Sequence, residues 1–307
     1  MYNKINYKKK GERYPMGKYL IVNADDFGLC HSANEAVFDL FQDGKLFSST
    51  IMMVCPGAEE AVKFAIDNPQ YAIGVHLTMT SEWKTWRWKP LTDAPSLLDE
   101  YGYMWHSTEQ VEKNAKLKEL RAELNAQIDK ALAMGMKPSH IDNHMGSLYG
   151  NRTLRFTMLN MTLKEMGKRG YAFRLYEKAD KRLTPAGTPE PVYMLSGKLT
   201  SLLAKIHKVT LPDYLLFPDW NEDLSSHGYE HYRETILKLW TNIPEGVTET
   251  FLHPALETDE LKSITGNWFQ RVWEYTLMKD PATHEYLKEH GVTMISYRDL
   301  IEMKKGK

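Results

Sequence analysis

The chain has 307 residues, 42% of them hydrophobic, and its 39 Lys and Arg against 40 Asp and Glu leave a formal charge of −1. A large core is affordable at this length, in one barrel domain as easily as in two smaller ones. The even charge excludes the electrostatic footprint of a nucleic-acid binder, and two cysteines, Cys30 and Cys55, exclude a disulfide framework and fit a reducing cytoplasm.

Residues 1–17, MYNKINYKKKGERYPMG, are basic and polar, without the apolar run of a signal peptide or membrane span, and read as an extension ahead of a domain over 18–307. The first strand is KYLIVNADD, whose run Leu20–Ile21–Val22 suits a parallel sheet buried on both faces. A helix follows, with Ser32 and Glu35 in the spacing of a capping box and Gly44 at its C-terminal end. SSTIMMV then reads as a strand, GAEEAVKFAIDN as a helix and YAIGVHL as a third strand.

Residues 80–108 have no clear period and carry Trp83, Trp86, Trp88 and Trp105, an excursion over the sheet. Leu117, Leu120, Leu124, Ile128 and Leu132 mark a long helix ended by Gly135. Further strands are expected at 139–142, 171–175, 214–217, 247–253 and 291–297, and helices near 152–168, 229–242 and 266–289, with 176–212 too irregular to place. This alternation predicts a closed, parallel α/β barrel.

Polar residues ending barrel strands gather on one rim. They are Asp25 and Asp26 after the first strand, His76 after the third, His140 and His144 around the fourth, Arg174 near the fifth, Asp219 after the sixth and His253 after the seventh. Two adjacent carboxylates are costly unless a cation lies beside them. Neighbours on an extended backbone point opposite ways, so one Asp is expected to bind metal and the other to exchange protons, with a helix cap and a solvated turn as the ordinary alternative. HIDNH (140–144) can supply both a metal ligand and a supporting carboxylate, and its spacing allows either histidine to ligate. His253 is a candidate general acid, restricted by Pro254. Arg174 could orient Asp25, bind substrate or form a buried ion pair. The tryptophans suit the apolar faces of sugar rings, and equally ordinary loop packing or a subunit contact.

The motifs NADDFG (23–28), GVHLT (74–78), HIDNH (140–144) and LHP (252–254), in this order, resemble those of the YdjC-like family of carbohydrate deacetylases, over about residues 18–297. The resemblance implies a distorted TIM-like barrel of about seven β/α units that removes an N-acetyl group from an amino sugar or short N-acetylated oligosaccharide. It implies Asp26, His76 and His144 as metal ligands, Asp25 as catalytic base and His253 as the acid toward the leaving amine. Its choice of His144 leaves His140, with Arg174, as a candidate for substrate contact. Mg²⁺ or Zn²⁺ is the ion first expected, with Fe²⁺, Co²⁺, Ni²⁺ and Mn²⁺ compatible with the same donors. A small carbohydrate is the expected partner, without nucleic acid or membrane, in a cytoplasmic protein for which a homodimer is one expected assembly. The chain departs from the family in HMGSLYG after the HxDxH block and in HPA for HPG, which bears on substrate more than on reaction. A hydrolase of another amide or ester, and an idle barrel that binds sugar or metal, are the competing readings.

Overall fold

The computed structural model describes residues 15–218, 224 and 226–305. Asp219 and residues 1–14 of the expected extension lie outside them. Seven strands, β1 (Lys18–Phe27), β2 (Ser48–Ile51), β3 (Ala72–Leu77), β4 (Ile141–Asn143), β5 (Tyr214–Leu215), β6 (Gly246–Leu252) and β7 (Val292–Met294), form one parallel sheet in the order β4-β3-β2-β1-β6-β5. β7 joins the lower half of β1, at Lys18–Leu20, where β2 has not yet begun to pair.

The sheet curls into half a barrel. Its edges, β4 and β5, are spanned by irregular chain rather than by the strand expected at 171–175. Ile141 N–H donates to Ala172 O and Arg174 N–H to Ile141 O, while Phe173 N–H reaches Thr210 O and Lys178 N–H reaches Asp213 O. Regular pairing is confined to Ile141 and Phe173. The apolar residues of YAFRL mark burial, which an irregular segment between two strands satisfies as well as a ladder does.

The central strand is buried from Tyr19 to Phe27, as its apolar run predicts for a strand covered on both faces. Helices α1 (His31–Gln42), α2 (Ala58–Asp67), α3 (Thr108–Asn114), α4 (Leu117–Ala133) and α5 (Thr157–Arg169) follow in the first half. α6 (Glu190–His207), α7 (Gly228–Thr241), α8 (Asp259–Ile264), α9 (Trp268–Lys279), α10 (Pro281–Glu289) and α11 (Tyr297–Lys305) follow in the second. α6 fills much of the stretch that sequence patterning leaves unplaced, and the single helix expected over 266–289 breaks at Asp280–Pro281, as the backbone before a proline favours.

The capping box expected at Ser32–Glu35 does not form. The N-cap is Cys30, and Ser32, inside the first turn, donates its hydroxyl to Leu256 O while its N–H goes to Glu260. A tertiary carboxylate has replaced the local cap. Gly44, in left-handed conformation two residues beyond α1, does follow that helix as predicted. Among the described residues no helix is long and apolar enough to cross a membrane.

Candidate metal centre

Because the strands are parallel, their C-terminal ends share one rim, and the motif residues meet there. β1 carries a bulge between Ala24 and Phe27, with Asp26 in the left-handed region at φ 58°. Aspartate tolerates that conformation better than most residues, at a cost of about 1 kcal/mol. The bulge corrects the expectation that the two aspartates point apart: His76 Nε2 lies 3.4 Å from Asp26 Oδ1 and 3.9 Å from Asp25 Oδ2. Alternation holds only for extended backbone, and Asp26 leaves it.

Asp26, His76 and His144 bring one donor atom each within 4.8 Å of one another, all three buried. Asp26 Oδ1 is the focus, with His144 Nδ1 at 3.2 Å on the other side. This oxygen is buried without a hydrogen-bond partner, whereas Oδ2 accepts from Arg271 Nη2 at 2.7 Å. A buried carboxylate oxygen left without a donor between two imidazole nitrogens fits a divalent cation.

Each imidazole is held from behind. β3 and β4 pair His76 with Asp142, and Asp142 Oδ1 takes the Nδ1–H of His76 at 2.7 Å, leaving Nε2 for the cluster. Asp142 Oδ2 accepts from Thr50 Oγ1–H and faces Arg174 Nη2, each at 2.8 Å. His144 meets Glu82 at 2.9 Å through Nε2.

Asp25 is gripped by Arg174, Nη1 to Oδ2 and Nη2 to Oδ1, both 2.6 Å, and accepts from Asn23 Nδ2 at 2.8 Å. Burial pushes this carboxyl up, but Arg174, His76 and His253 together hold it below the ordinary range. Burial likewise opposes ionisation of Asp26, and Arg271 and His144 outweigh it, leaving Asp26 well below that range. For the two histidines burial disfavours the charged ring. Asp142 and Asp25 nevertheless raise His76 to about 9, and Glu82 and Asp26 raise His144 to about 10.

Arg174 sits just past the Ile141 pairing, buried, with Nε on Glu249 at 2.7 Å, so its donors are committed to three carboxylates. Glu249 also accepts from the Tyr297 hydroxyl. His140 stands apart from the cluster, fully buried, stacked on Tyr297 at 3.7 Å with Nε2 on Asn23 Oδ1. His253 follows β6 directly; its N–H donates to Glu274 Oε2 at 2.6 Å, and its Nδ1 lies 3.7 Å from the same oxygen.

A family model described as YdjC-like protein matches residues 19–289. The chain belongs to the YdjC-like family. A carbohydrate deacetylase of Geobacillus stearothermophilus is 28% identical over 289 residues, covering 94% of this chain and 100% of the relative. One of Enterococcus faecalis is 30% identical, covering 92% and 98%, and a chitooligosaccharide deacetylase of Proteus mirabilis is 26% identical, covering 93% and 100%. A crystal structure of an Enterococcus faecalis protein named for cellobiose-phosphate cleavage superposes with a TM-score of 0.71 at 26% identity, covering 92% of this chain and 99% of that one.

In this YdjC-like chain the Trp-rich excursion packs over the rim. Trp88 is buried with Leu29, Cys30, Met52, Cys55 and Ala255 from the loops after β1, β2 and β6, with Trp83 and Trp86 against them. Trp105 lies elsewhere, on the main core, so the four tryptophans are not one surface. Trp83 packs edge-on to Trp88, and the Arg271 guanidinium lies 5.6 Å above its ring. Both cysteine thiols are pushed up by burial, Cys30 to about 11, and act as small apolar groups in this layer. Glu82, Arg271 and Glu274 escape sequence reasoning, since no strand-end position or motif spacing marks them.

Proposed function

We propose that this chain removes an N-acetyl group from an amino sugar or short N-acetylated oligosaccharide, with a divalent metal held by Asp26, His76 and His144. The observation that carries the reading is the buried Asp26 Oδ1, without a hydrogen-bond donor and flanked by two ring nitrogens, beside the Arg174-clamped Asp25. The names of the relatives, carbohydrate deacetylase and chitooligosaccharide deacetylase, matched over nearly the whole chain, support the substrate class. A bound divalent ion supplies Lewis acidity toward the amide carbonyl and makes water more acidic. The donor set suits Zn²⁺ directly and Mg²⁺ with waters completing an octahedron.

The protein groups divide the proton work. Asp25, kept ionised at neutral pH, takes the proton of the attacking water; Arg174 fixes the carboxylate in place. His253, tethered to Glu274, gives a proton to the departing nitrogen as the C–N bond breaks, so that water and amide become acetate and a free amine. The buried Trp88 and half-buried Trp83 keep bulk water from the His144 side of the site. Two free, buried thiols support a cytoplasmic setting.

The test is acetate release from N-acetylated mono- and disaccharides by metal-stripped protein reloaded separately with Zn²⁺ and Mg²⁺, beside Asp25→Asn. Release that needs metal and is lost in Asp25→Asn, with metal still bound, supports the reading. Stoichiometric metal without acetate from any sugar overturns the deacetylase assignment.

A further inference from the structure

The two imidazoles of the cluster are supported in the same way from opposite ends. His76 offers Nε2 to Asp26 and rests Nδ1 on Asp142; His144 offers Nδ1 and rests Nε2 on Glu82. Asp142 comes from the HIDNH motif itself, within β4. Glu82 comes from 62 residues away in sequence, in the Trp-rich excursion whose role the motifs leave open.

The excursion is built to hold this carboxylate in place. Arg87 ties separate stretches of it together, donating to Ser81 Oγ at 3.0 Å, Asp99 at 2.8 Å and Met104 O at 2.6 Å. Ser81 N–H donates to Trp105 O at 2.8 Å, and Trp88 Nε1–H to Thr80 O at 2.8 Å. Glu82 is therefore flanked by anchored residues, and the next residue, Trp83, packs beside His144 with a ring separation of 6.5 Å.

An ionised carboxylate can only accept, so the ring hydrogen that Glu82 binds must be on Nε2. A neutral imidazole with its hydrogen there presents its lone pair at Nδ1, the nitrogen facing Asp26 Oδ1. We propose that Glu82 is a positioning residue that determines the ligating nitrogen of His144, making the Trp-rich excursion a structural part of the metal centre. The proposal rests on the metal-dependent reading above and goes beyond it in assigning the excursion its task.

Two measurements test it. Zn²⁺ titration by calorimetry compares the full chain with Glu82→Gln, which keeps an acceptor without the charge, and with Glu82→Ala. The expected loss of affinity is about 10- to 100-fold for Ala and smaller for Gln. Cadmium-113 loading of nitrogen-15-histidine protein then reads the coupled nitrogen by NMR: Nδ1 for His144 and Nε2 for His76, with the His144 coupling weakened or moved in Glu82→Ala. Unchanged affinity in both variants, or His144 coupling through Nε2 in the unaltered protein, overturns the role of Glu82 while the metal site stands. Failure of the unaltered protein to bind Zn²⁺ overturns both. Glu82 is partly exposed, so its replacement leaves the core intact, and a thermal melt of each metal-free variant confirms the fold.

Discussion

Arg174 closes on Asp25 with two hydrogen bonds of 2.6 Å, one from each terminal nitrogen, and the same guanidinium meets Asp142 and Glu249. One buried cation thus serves three buried acids. Arg174→Met strands those carboxylates and should cost about 3–5 kcal/mol, read by urea unfolding of metal-free protein. Arg174→Lys keeps the charge without the planar fork, so it should fold but release acetate far more slowly. Unaltered stability in the Met variant would contradict this accounting.

Arg271 acts on the neighbouring aspartate. By engaging Asp26 Oδ2 at 2.7 Å it leaves Oδ1 facing the imidazoles. Arg271→Met is expected to weaken Zn²⁺ binding about 10-fold or more, with Arg271→Lys in between, as calorimetry would show.

Helix α9 also meets His253, the proposed acid, through Glu274, one turn further on. His253→Ala should lower kcat by about 10²–10⁴ with metal affinity retained. Glu274→Gln, which still accepts the His253 N–H but loses its charge near Nδ1, should show a smaller drop and a displaced pH–rate profile. Matching profiles for Glu274→Gln and the parent would remove Glu274 from the proton pathway.

The pH dependence follows from the two raised histidines. His76 at about 9 and His144 at about 10 both lie above the ordinary imidazole value of 6.5. Their stabilisation of the metal-free protein is therefore complete below pH 6.5 and is lost as pH rises through 9 and 10. Its melting temperature should fall over that interval, and less so with metal bound, because the ion replaces the protons. At pH 7.5, metal uptake should release about two protons, measurable by calorimetry in buffers of different ionisation enthalpy. Heats independent of the buffer would refute it.

Gly74 permits β3 and β4 to approach. A Cβ there would stand 2.3 Å from His140 O, so Gly74→Ala should cost about 1–3 kcal/mol in urea unfolding, two residues from His76. A neutral substitution would show that the His140 backbone can move aside.

The sequence by itself determined the parallel α/β architecture and the strand ends that carry the candidate site residues. Buried runs such as Leu20–Ile21–Val22 are local signals of a covered strand, and parallel strands must bring Asp25, Asp26, His76, His144 and His253 to one rim. Tertiary structure alone decided what grips those residues. Glu82 reaches His144 across 62 positions, Arg271 reaches Asp26 across 245 and Glu274 reaches His253 across 21. No helical or strand period connects such distances, because the contacts are made between different elements once the core has set their spacing. The positive φ of Asp26 belongs to the same class: the NADDFG motif places two acids in succession, and only the bulge against β2 turns both toward one centre.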